Sequence, residues 1–195
     1  DDRGVTRYFT LSSSPTEDHL LVTTRILKSS FKLKLGSLKI GSVVKMRGPW
    51  GDFVLRQAQD EKDTTPRVFL SGGIGVTPFR SMLRYAADKK LKLPITFFAS
   101  YKTPGDILYK EEFEKITLAN NSIKIITTLT RPEGTGWKGE TGRISDELLK
   151  KHLDSSKKNL YYIAGPDSMV EALLKLLISL KIPEKQIKTD GFPGY

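Results

Sequence analysis

The sequence predicts an α/β protein: a five-stranded, parallel, doubly wound sheet in the order 3-2-1-4-5, preceded by part of an antiparallel β-barrel. Three observations predict it. From Val5 to Leu55 short β-type segments follow one another with turns between them. From Arg67 onward strand and helix patterns alternate, and glycine turns follow the first and the fourth of these later strands. The stretch Gln57 to Pro66, polar, charged and ended by proline, reads as a linker. The expected division is therefore residues 1–60 as the barrel portion and 61–195 as the α/β unit.

In the first part, Val5 to Leu11, Leu20 to Ile26, Val43 to Arg47 and Asp52 to Leu55 are rich in Val, Thr, Ile and aromatics, and Ser, Pro and Gly separate them. Four strands are too few to close a barrel. In the second part, Arg67 to Ser71 is a buried-type strand, and a helix begins near Thr77 with Phe79, Met82, Leu83 and Ala86 at helical spacing. A strand from Ile95 to Ser100, a helix around Lys110 to Ile116 and a strand from Ile123 to Thr128 come next. Ser145 caps a short helix to His152, and Leu160 to Ala164 is the fourth strand. A helix from Asp167, read as its N-cap, runs to Leu180, and a last short strand covers Gln186 to Thr189.

Composition narrows the chemistry. The 195 residues contain no cysteine, which excludes disulfides, zinc–thiolate sites and cysteine-held iron–sulfur clusters within them. The histidines, His19 and His152, belong to no triad or metal set, so both read as surface residues and no metal site is expected. No apolar run approaches the ~20 residues that cross a bilayer. The expected location is cytoplasmic, or the cytoplasmic face of a membrane if an upstream membrane domain exists. The net charge is +10, and from Arg25 to Arg56 eight Lys or Arg residues face one acid, Asp52. Such a field favours acidic or phosphate-bearing partners, or it is a solvated basic face. No helix-turn-helix, zinc finger or stacked-aromatic pattern accompanies it, so nucleic acid is not an expected partner.

The segment Ser71-Gly-Gly-Ile-Gly-Val-Thr-Pro78 joins the first parallel strand to its helix. Bare glycine backbone admits a ligand closely, and a helix N-terminus behind it offers free N–H groups to a pyrophosphate. Pro78 suits a first helical turn, where its missing N–H is not needed. No Gly-Lys-Ser/Thr follows, so this is not a P-loop, and Pro78 falls near the third glycine of the usual dinucleotide fingerprint. A turn that merely permits tight packing is the alternative. A second turn, Ala164-Gly-Pro-Asp167, follows the fourth strand; in a 3-2-1-4-5 sheet both turns open on one crevice.

These residues resemble the ferredoxin–NADP+ reductase superfamily of flavin oxidoreductases. Gly72-Gly-Ile-Gly-Val-Thr-Pro78 is similar to its nucleotide pyrophosphate loop, and Tyr161-Tyr-Ile-Ala-Gly-Pro-Asp-Ser-Met169 to its second nucleotide motif. Arg7-Tyr-Phe-Thr10 with Ser12-Ser-Ser-Pro15 resembles its flavin motif, Gly48-Pro-Trp-Gly-Asp-Phe53 its glycine turn near the end of the barrel, and Phe192-Pro-Gly-Tyr195 its aromatic terminus. The matches run in family order across nearly the whole chain.

The resemblance implies two cofactors, FAD and NAD(P)H. It implies that Arg7 holds a flavin phosphate, that Phe9 packs on the isoalloxazine and that Thr10 lies within hydrogen-bonding reach of its N5 edge. It places Ser29, Ser30 and Lys32 at a helix start against the flavin pyrophosphate. Gly72, Gly73, Gly75, Thr77 and Pro78 would cradle the dinucleotide, and Gly165, Pro166 and Met169 would line the nicotinamide side. Tyr195 or Phe192 would cover the flavin face; Thr10 and Tyr195 are the residues nearest the chemistry. The chain departs from the pattern in carrying Phe9 for a tyrosine, Ala164 where many members have cysteine, and no counterpart of the first barrel strands.

The activity so implied is hydride transfer from NAD(P)H to flavin, with electrons passed onward to an acidic carrier such as ferredoxin or flavodoxin, or to a fused redox or membrane domain upstream. NADH and NADPH stay open, with Lys102 and Arg131 as the residues able to meet a 2′-phosphate. FAD against FMN and the acceptor stay open too. The rival class is a non-catalytic nucleotide-binding or electron-transfer subunit of a larger redox complex.

Overall fold

The structure is a computed structural model in which residues 6–26, 28–55, 64–154 and 156–192 are described. Six strands build one sheet: β1 (Arg67–Gly72), β2 (Ile95–Tyr101), β3 (Ile123–Leu129), β4 (Glu140–Thr141), β5 (Leu160–Pro166) and β6 (Ile187–Phe192). Their order is β4-β3-β2-β1-β5-β6, and every pairing is parallel. Without β4 this is the expected 3-2-1-4-5 arrangement. β4 is only two residues long, too short to show a period of its own in the sequence.

Side chains of each strand alternate between two cores. Phe69, Phe97 and Tyr162 face α2 (Thr77–Asp88) and α3 (Lys110–Ala119), where Phe79 stacks on Phe69 at 4.7 Å between ring centroids. Val68, Leu70, Tyr161 and Ile163 face α4 (Asp146–His152) and α5 (Asp167–Ser179) through Leu148, Leu149, Val170, Leu173 and Leu177. Because β1 is covered on both faces, all six of its residues are buried, which is why it reads as a continuous apolar run rather than an alternating one.

Two local expectations are corrected. Pro166, not Asp167, is the N-cap of α5, and Asp167 lies in its first turn, where a carboxylate still opposes the positive end of the helix. His152 is not a surface residue: its side chain is 15% exposed, its Nε2 lies 2.8 Å from a Glu140 oxygen, and its ring meets Phe98 edge-on. His19 is exposed beside Asp18.

The larger correction concerns the N-terminal part. Among the described residues of 6–55, one antiparallel bridge between Leu11 and Val22 stands in place of the four expected strands, with one short helix, α1 (Ser30–Gly36). Strand-forming composition becomes a strand only when a neighbour supplies hydrogen bonds and apolar cover. Here Ile40, Val43 and Trp50 point outward, Val43 at 94% exposure, so the segments that carry them pair with nothing described. The expected boundary at residue 60 falls outside the described residues.

The N-terminal part is nevertheless docked firmly on α2 and α3. Arg80 of α2 is buried, and its guanidinium is gripped from two sides. Glu17 accepts from Nη1 and Nη2 at 2.7 and 2.9 Å, and Glu112 of α3 accepts from Nε at 2.9 Å, its other oxygen in ion-pair contact with Nη2 at 2.8 Å. Nη1 also donates to the Ser12 carbonyl at 2.8 Å, and the Tyr109 ring lies 5.5 Å from the guanidinium carbon.

Hydrogen bonds from Arg80, reinforced against the opposing effect of burial by the Ser14 backbone N–H, hold the Glu17 carboxyl at about 2. A carboxyl depressed in the folded state adds stability above its ordinary value of 4.5 and loses it as pH falls toward 2. The thermal midpoint should therefore drop across that interval. In Glu17→Gln the slope should flatten there, as circular-dichroism melts at successive pH values will show.

Candidate functional site

Strand β1 exchanges hydrogen bonds with β2 on one side and β5 on the other, and the direction of sheet growth reverses between β1 and β5. This is the topological switch point, where the carboxyl ends of parallel strands diverge into a crevice. Both glycine turns lie there. Ser71 pairs with Ala164, so Gly72 and Gly165 leave their strands side by side.

The first turn is a 3-10 segment, Gly73–Val76, that runs straight into α2, with Pro78 in the first turn of the helix. Gly73 has φ of +53°, a left-handed conformation that costs any side-chain-bearing residue roughly 1–2 kcal/mol. Gly75 has a different role. A Cβ added to it would stand 2.6 Å from both the Ala164 carbonyl carbon and the Gly165 Cα, so the two turns pack backbone against backbone. An added Cβ on Gly165 would likewise meet Gly72 N at 3.3 Å.

The structure divides the expected nucleotide cradle into an outer and an inner part. Gly73 and Ile74 are partly exposed, whereas Gly72, Gly75, Thr77 and Pro78 are buried. The Thr77 hydroxyl is engaged inside the turn, donating to the Ile74 carbonyl at 3.2 Å. On the other turn Gly165 is buried and Pro166 exposed. Met169, partly buried, lays its thioether over both glycines; its Cε would meet an added Cβ at 3.1 Å on Gly72 and 2.5 Å on Gly165. Gly72, Gly73, Gly75, Thr77, Gly165 and Met169 are thus one contiguous patch.

Residues from the N-terminal part border this patch. Arg25 stands beside Gly73: its Nη2 would be 3.7 Å from an added Cβ, the nearest atom of any kind. The same nitrogen donates to Asp106 at 3.1 Å, in the turn after β2, where Asp106 also accepts from Thr103 N and Oγ1. The Thr103 hydroxyl foremost, then its backbone N–H and the charges of Arg25 and Lys102, keep the Asp106 carboxyl below its ordinary range against the effect of burial. The sequence marks Arg25 only as part of a basic stretch, and nothing local reveals that it reaches the glycine turn.

Thr10 lies against the far side. Its hydroxyl bonds to Asp190, a half-buried acid near the end of β6. Burial pushes the Asp190 carboxyl up, the Thr10 bond pulls it down, and the charge of Asp52 adds to the rise. Asp190 is the residue that sequence reasoning misses. A single acid at a strand end carries no motif, and only the fold sets Thr10, Asp52 and Asp190 together. Tyr195 lies outside the described residues.

Arg7, Phe9 and α1 form a third cluster. Phe9 and Phe31 sit 6.1 Å apart, and the Arg7 guanidinium carbon lies 5.1 Å over the Phe31 ring, so Phe31 joins the two ends of the predicted flavin set. Ser29 caps α1, its Oγ accepting from Lys32 N at 3.2 Å, and Ser30 is the first residue of the helix. A cavity lined by Tyr101, Phe113, Ile125 and Trp137 opens elsewhere, between α3 and the sheet, and shares no residue with the glycine turns.

Residues 69–175, more than half the chain and both glycine turns with it, match the family described as oxidoreductase NAD-binding domain. The chain belongs to that family. One component of the Na(+)-translocating NADH-quinone reductase of Methylococcus capsulatus is 30% identical over 167 residues, covering 81% of this chain and 39% of that protein. The reductase component of propane 2-monooxygenase from Mycolicibacterium smegmatis is 27% identical over 161 residues, covering 80% and 45%. The chain thus spans less than half the length of either curated relative.

Among solved structures, the FAD/NAD binding domain of nitric oxide dioxygenase from Vibrio cholerae superimposes with a TM-score of 0.82 at 17% identity, covering 96% of this chain and 77% of the other. These likenesses establish a ferredoxin reductase-like fold for this NAD-binding domain. Among the described residues no helix is long and apolar enough to cross a membrane.

Proposed function

We propose that this chain carries the NAD(P)H site, and the adjoining part of the flavin site, of an oxidoreductase that moves hydride from NAD(P)H to FAD and electrons onward. The observation that carries the reading is the backbone contact between the Gly72–Gly75 turn and Gly165 at the switch point of the sheet. That contact leaves the Gly73 and Ile74 backbone facing the crevice, with the Met169 thioether over Gly72 and Gly165 and one cation, Arg25, beside it. It suits a dinucleotide diphosphate, which needs close N–H groups and little bulk.

When bound, the nicotinamide and flavin supply the hydride and electron chemistry, and the protein binds and orients them. On this reading the partly exposed Gly73 and Ile74 present backbone to the diphosphate, and Arg25 adds a fixed positive charge from the N-terminal part. Met169 and Gly165 shape the nicotinamide side. Arg7, with Ser29, Ser30 and Lys32 close by through Phe31, faces the flavin phosphates. Thr10 presents its hydroxyl beside Asp190, which holds it in place. Phe192 closes β6 next to Pro166, within reach of the same face. The relatives' own names support a redox role, and the cytoplasm, or the cytoplasmic face of a membrane, is the location proposed.

The acceptor proposed is an acidic carrier protein or a fused redox centre. Lys28, Lys34, Lys39, Lys45 and Arg47 are exposed on one stretch of chain, which favours an acidic surface and predicts docking that weakens steeply with salt. For the nucleotide, the Arg131 N–H donates to the Lys102 carbonyl at 2.8 Å, so the two residues able to grip a 2′-phosphate stand on adjoining loops.

Titration with NADH and NADPH, followed by nicotinamide fluorescence, tests the site directly. Saturable binding is expected, and Arg25→Gln should weaken it about tenfold, the loss of one charge-assisted contact of about 1.5 kcal/mol. Binding equal to wild type in that variant would remove Arg25 from the site, and no binding by the wild-type chain would end the proposal. An absorbance spectrum of the full-length gene product, before and after each nucleotide, separates the enzyme from the non-catalytic reading: bleaching of a yellow flavin marks the enzyme.

A further inference from the structure

We infer that Arg80 is a positioning residue, a clamp that sets the angle and separation between the flavin-side segment and the nucleotide turn. The inference rests on the proposed function only for its consequence in turnover. The clamp itself is read from geometry.

Arg80 lies one helical turn beyond Thr77, so its Cα moves rigidly with the turn that holds Gly73 and Gly75. Its Nη1 donates to the carbonyl of Ser12, two residues after Thr10, and Ser12, Ser13 and Ser14 are all buried. One side chain therefore ties the backbone carrying Arg7, Phe9 and Thr10 to the helix carrying the glycine loop. The second layer repeats the tie. Tyr109, at the start of α3 and stacked on Arg80, donates its hydroxyl to Thr23; Thr23 shares a hydrogen bond with Ser12 at 3.1 Å; and Thr16 donates to Asp88 at the end of α2.

Stability alone does not account for this arrangement. A buried guanidinium between two carboxylates recovers little more than the desolvation it costs, and an apolar trio of equal volume packs as well or better. What the polar cluster adds is direction. A planar fork bonded to one carboxylate on its end and another on its side admits a single orientation, whereas apolar side chains slide. The N-terminal part otherwise has one β-bridge and much exposed apolar surface among its described residues. Phe53 also docks there, edge-on to Phe79 at 5.9 Å and to Tyr162 at 5.8 Å, but an apolar ring contact of this kind leaves the register free to slide. Arg25–Asp106 at 3.1 Å and Lys188 Nζ on the Asp52 carbonyl at 2.8 Å are exposed contacts and hold less firmly.

The chain has no cysteine, so paired spin labels at Lys34→Cys and Lys175→Cys, both exposed, report the distance between α1 and α5 without background. The triple variant Glu17→Gln, Arg80→Met, Glu112→Gln removes the clamp and leaves no unpaired buried charge. Its distance distribution should widen at least twofold while the thermal midpoint stays near that of wild type. Glu17→Gln alone, which leaves Arg80 paired with Glu112, is the gentler variant should the triple one fail to fold, and should widen the distribution by a smaller amount. An unchanged width in whichever variant folds overturns the inference, including when its thermal midpoint falls, because that is the result of a merely structural role.

In the full-length flavoprotein the triple variant should lower kcat about tenfold with KM for the nucleotide within about twofold, since the nucleotide loop is intact and only its alignment is lost. A kcat equal to wild type despite a widened distribution overturns the positioning role. Absence of any flavin reduction in the wild-type protein strikes at the proposed function instead and leaves the distance result standing.

Discussion

Gly75→Ala should lose more than any other single-methyl change in the glycine turns. The new Cβ has nowhere to go, because the atoms it meets at 2.6 Å, the Ala164 carbonyl carbon and the Gly165 Cα, are backbone of a central strand. Relief requires β5 and the turn to separate, an overpacking cost of about 1–3 kcal/mol. At about 2–4 °C per kcal/mol for a chain of this size, the thermal midpoint should fall by roughly 2–12 °C. The same displacement turns the Gly73 and Ile74 backbone away from the crevice, so nucleotide affinity should drop more than tenfold. Gly73→Ala is the control. Its methyl finds only the Arg25 nitrogen at 3.7 Å, and its cost is the left-handed φ, about 1 kcal/mol. Scanning calorimetry and nucleotide titration on both variants decide the matter. A Gly73→Ala loss equal to or greater than that of Gly75→Ala would show that the two turns do not bear on each other as described.

Arg80→Met on its own should be the most destabilising side-chain change. It strands Glu17 and Glu112, both largely buried, with no cation between them; breaking a buried pair in this way costs about 3–5 kcal/mol. The pH dependence should reverse. In the wild-type protein Glu17, held at about 2, loses its contribution as pH falls from 4.5. In the variant, with the guanidinium gone, burial raises the Glu17 carboxyl above its value in the unfolded chain, so its protonation on acidification restores stability. Urea melts between pH 7 and pH 5 should show the variant gaining midpoint as pH falls. A variant that keeps the wild-type slope would mean the carboxylates had found other partners. Adding Glu17→Gln and Glu112→Gln should recover most of the loss.

Much of this protein is legible along the chain. β1, β2 and β5 announce themselves as mostly apolar runs bounded by turn residues, because central parallel strands are buried on both faces, and β3 as a β-branched segment with one face more exposed. α2 is legible from the spacing of Phe79, Met82, Leu83 and Ala86, and the switch point follows from strand order alone. The expected N-terminal strands fail for the opposite reason. Their composition is as strand-like as that of β3, but strand formation is a property of pairs, and Val43 to Arg47 has no described partner. Asp190, Arg25 and Arg80 stay invisible as site residues for a related reason: each is an ordinary charged residue until a distant segment arrives beside it.

The order of amino acids is enough to specify the parallel sheet, its strand arrangement, the two glycine turns and the family to which they belong. These rest on local periodicity and on backbone freedom that only glycine supplies. Folding adds which glycine packs and which faces the crevice, the Met169 roof over both turns, and the Arg80 and Arg25 ties between the N-terminal part and the crevice. Burial and charge pairing depend on atoms many residues apart. Until the chain closes on itself, Arg80 and Glu17, 63 positions apart, carry no sign that they meet.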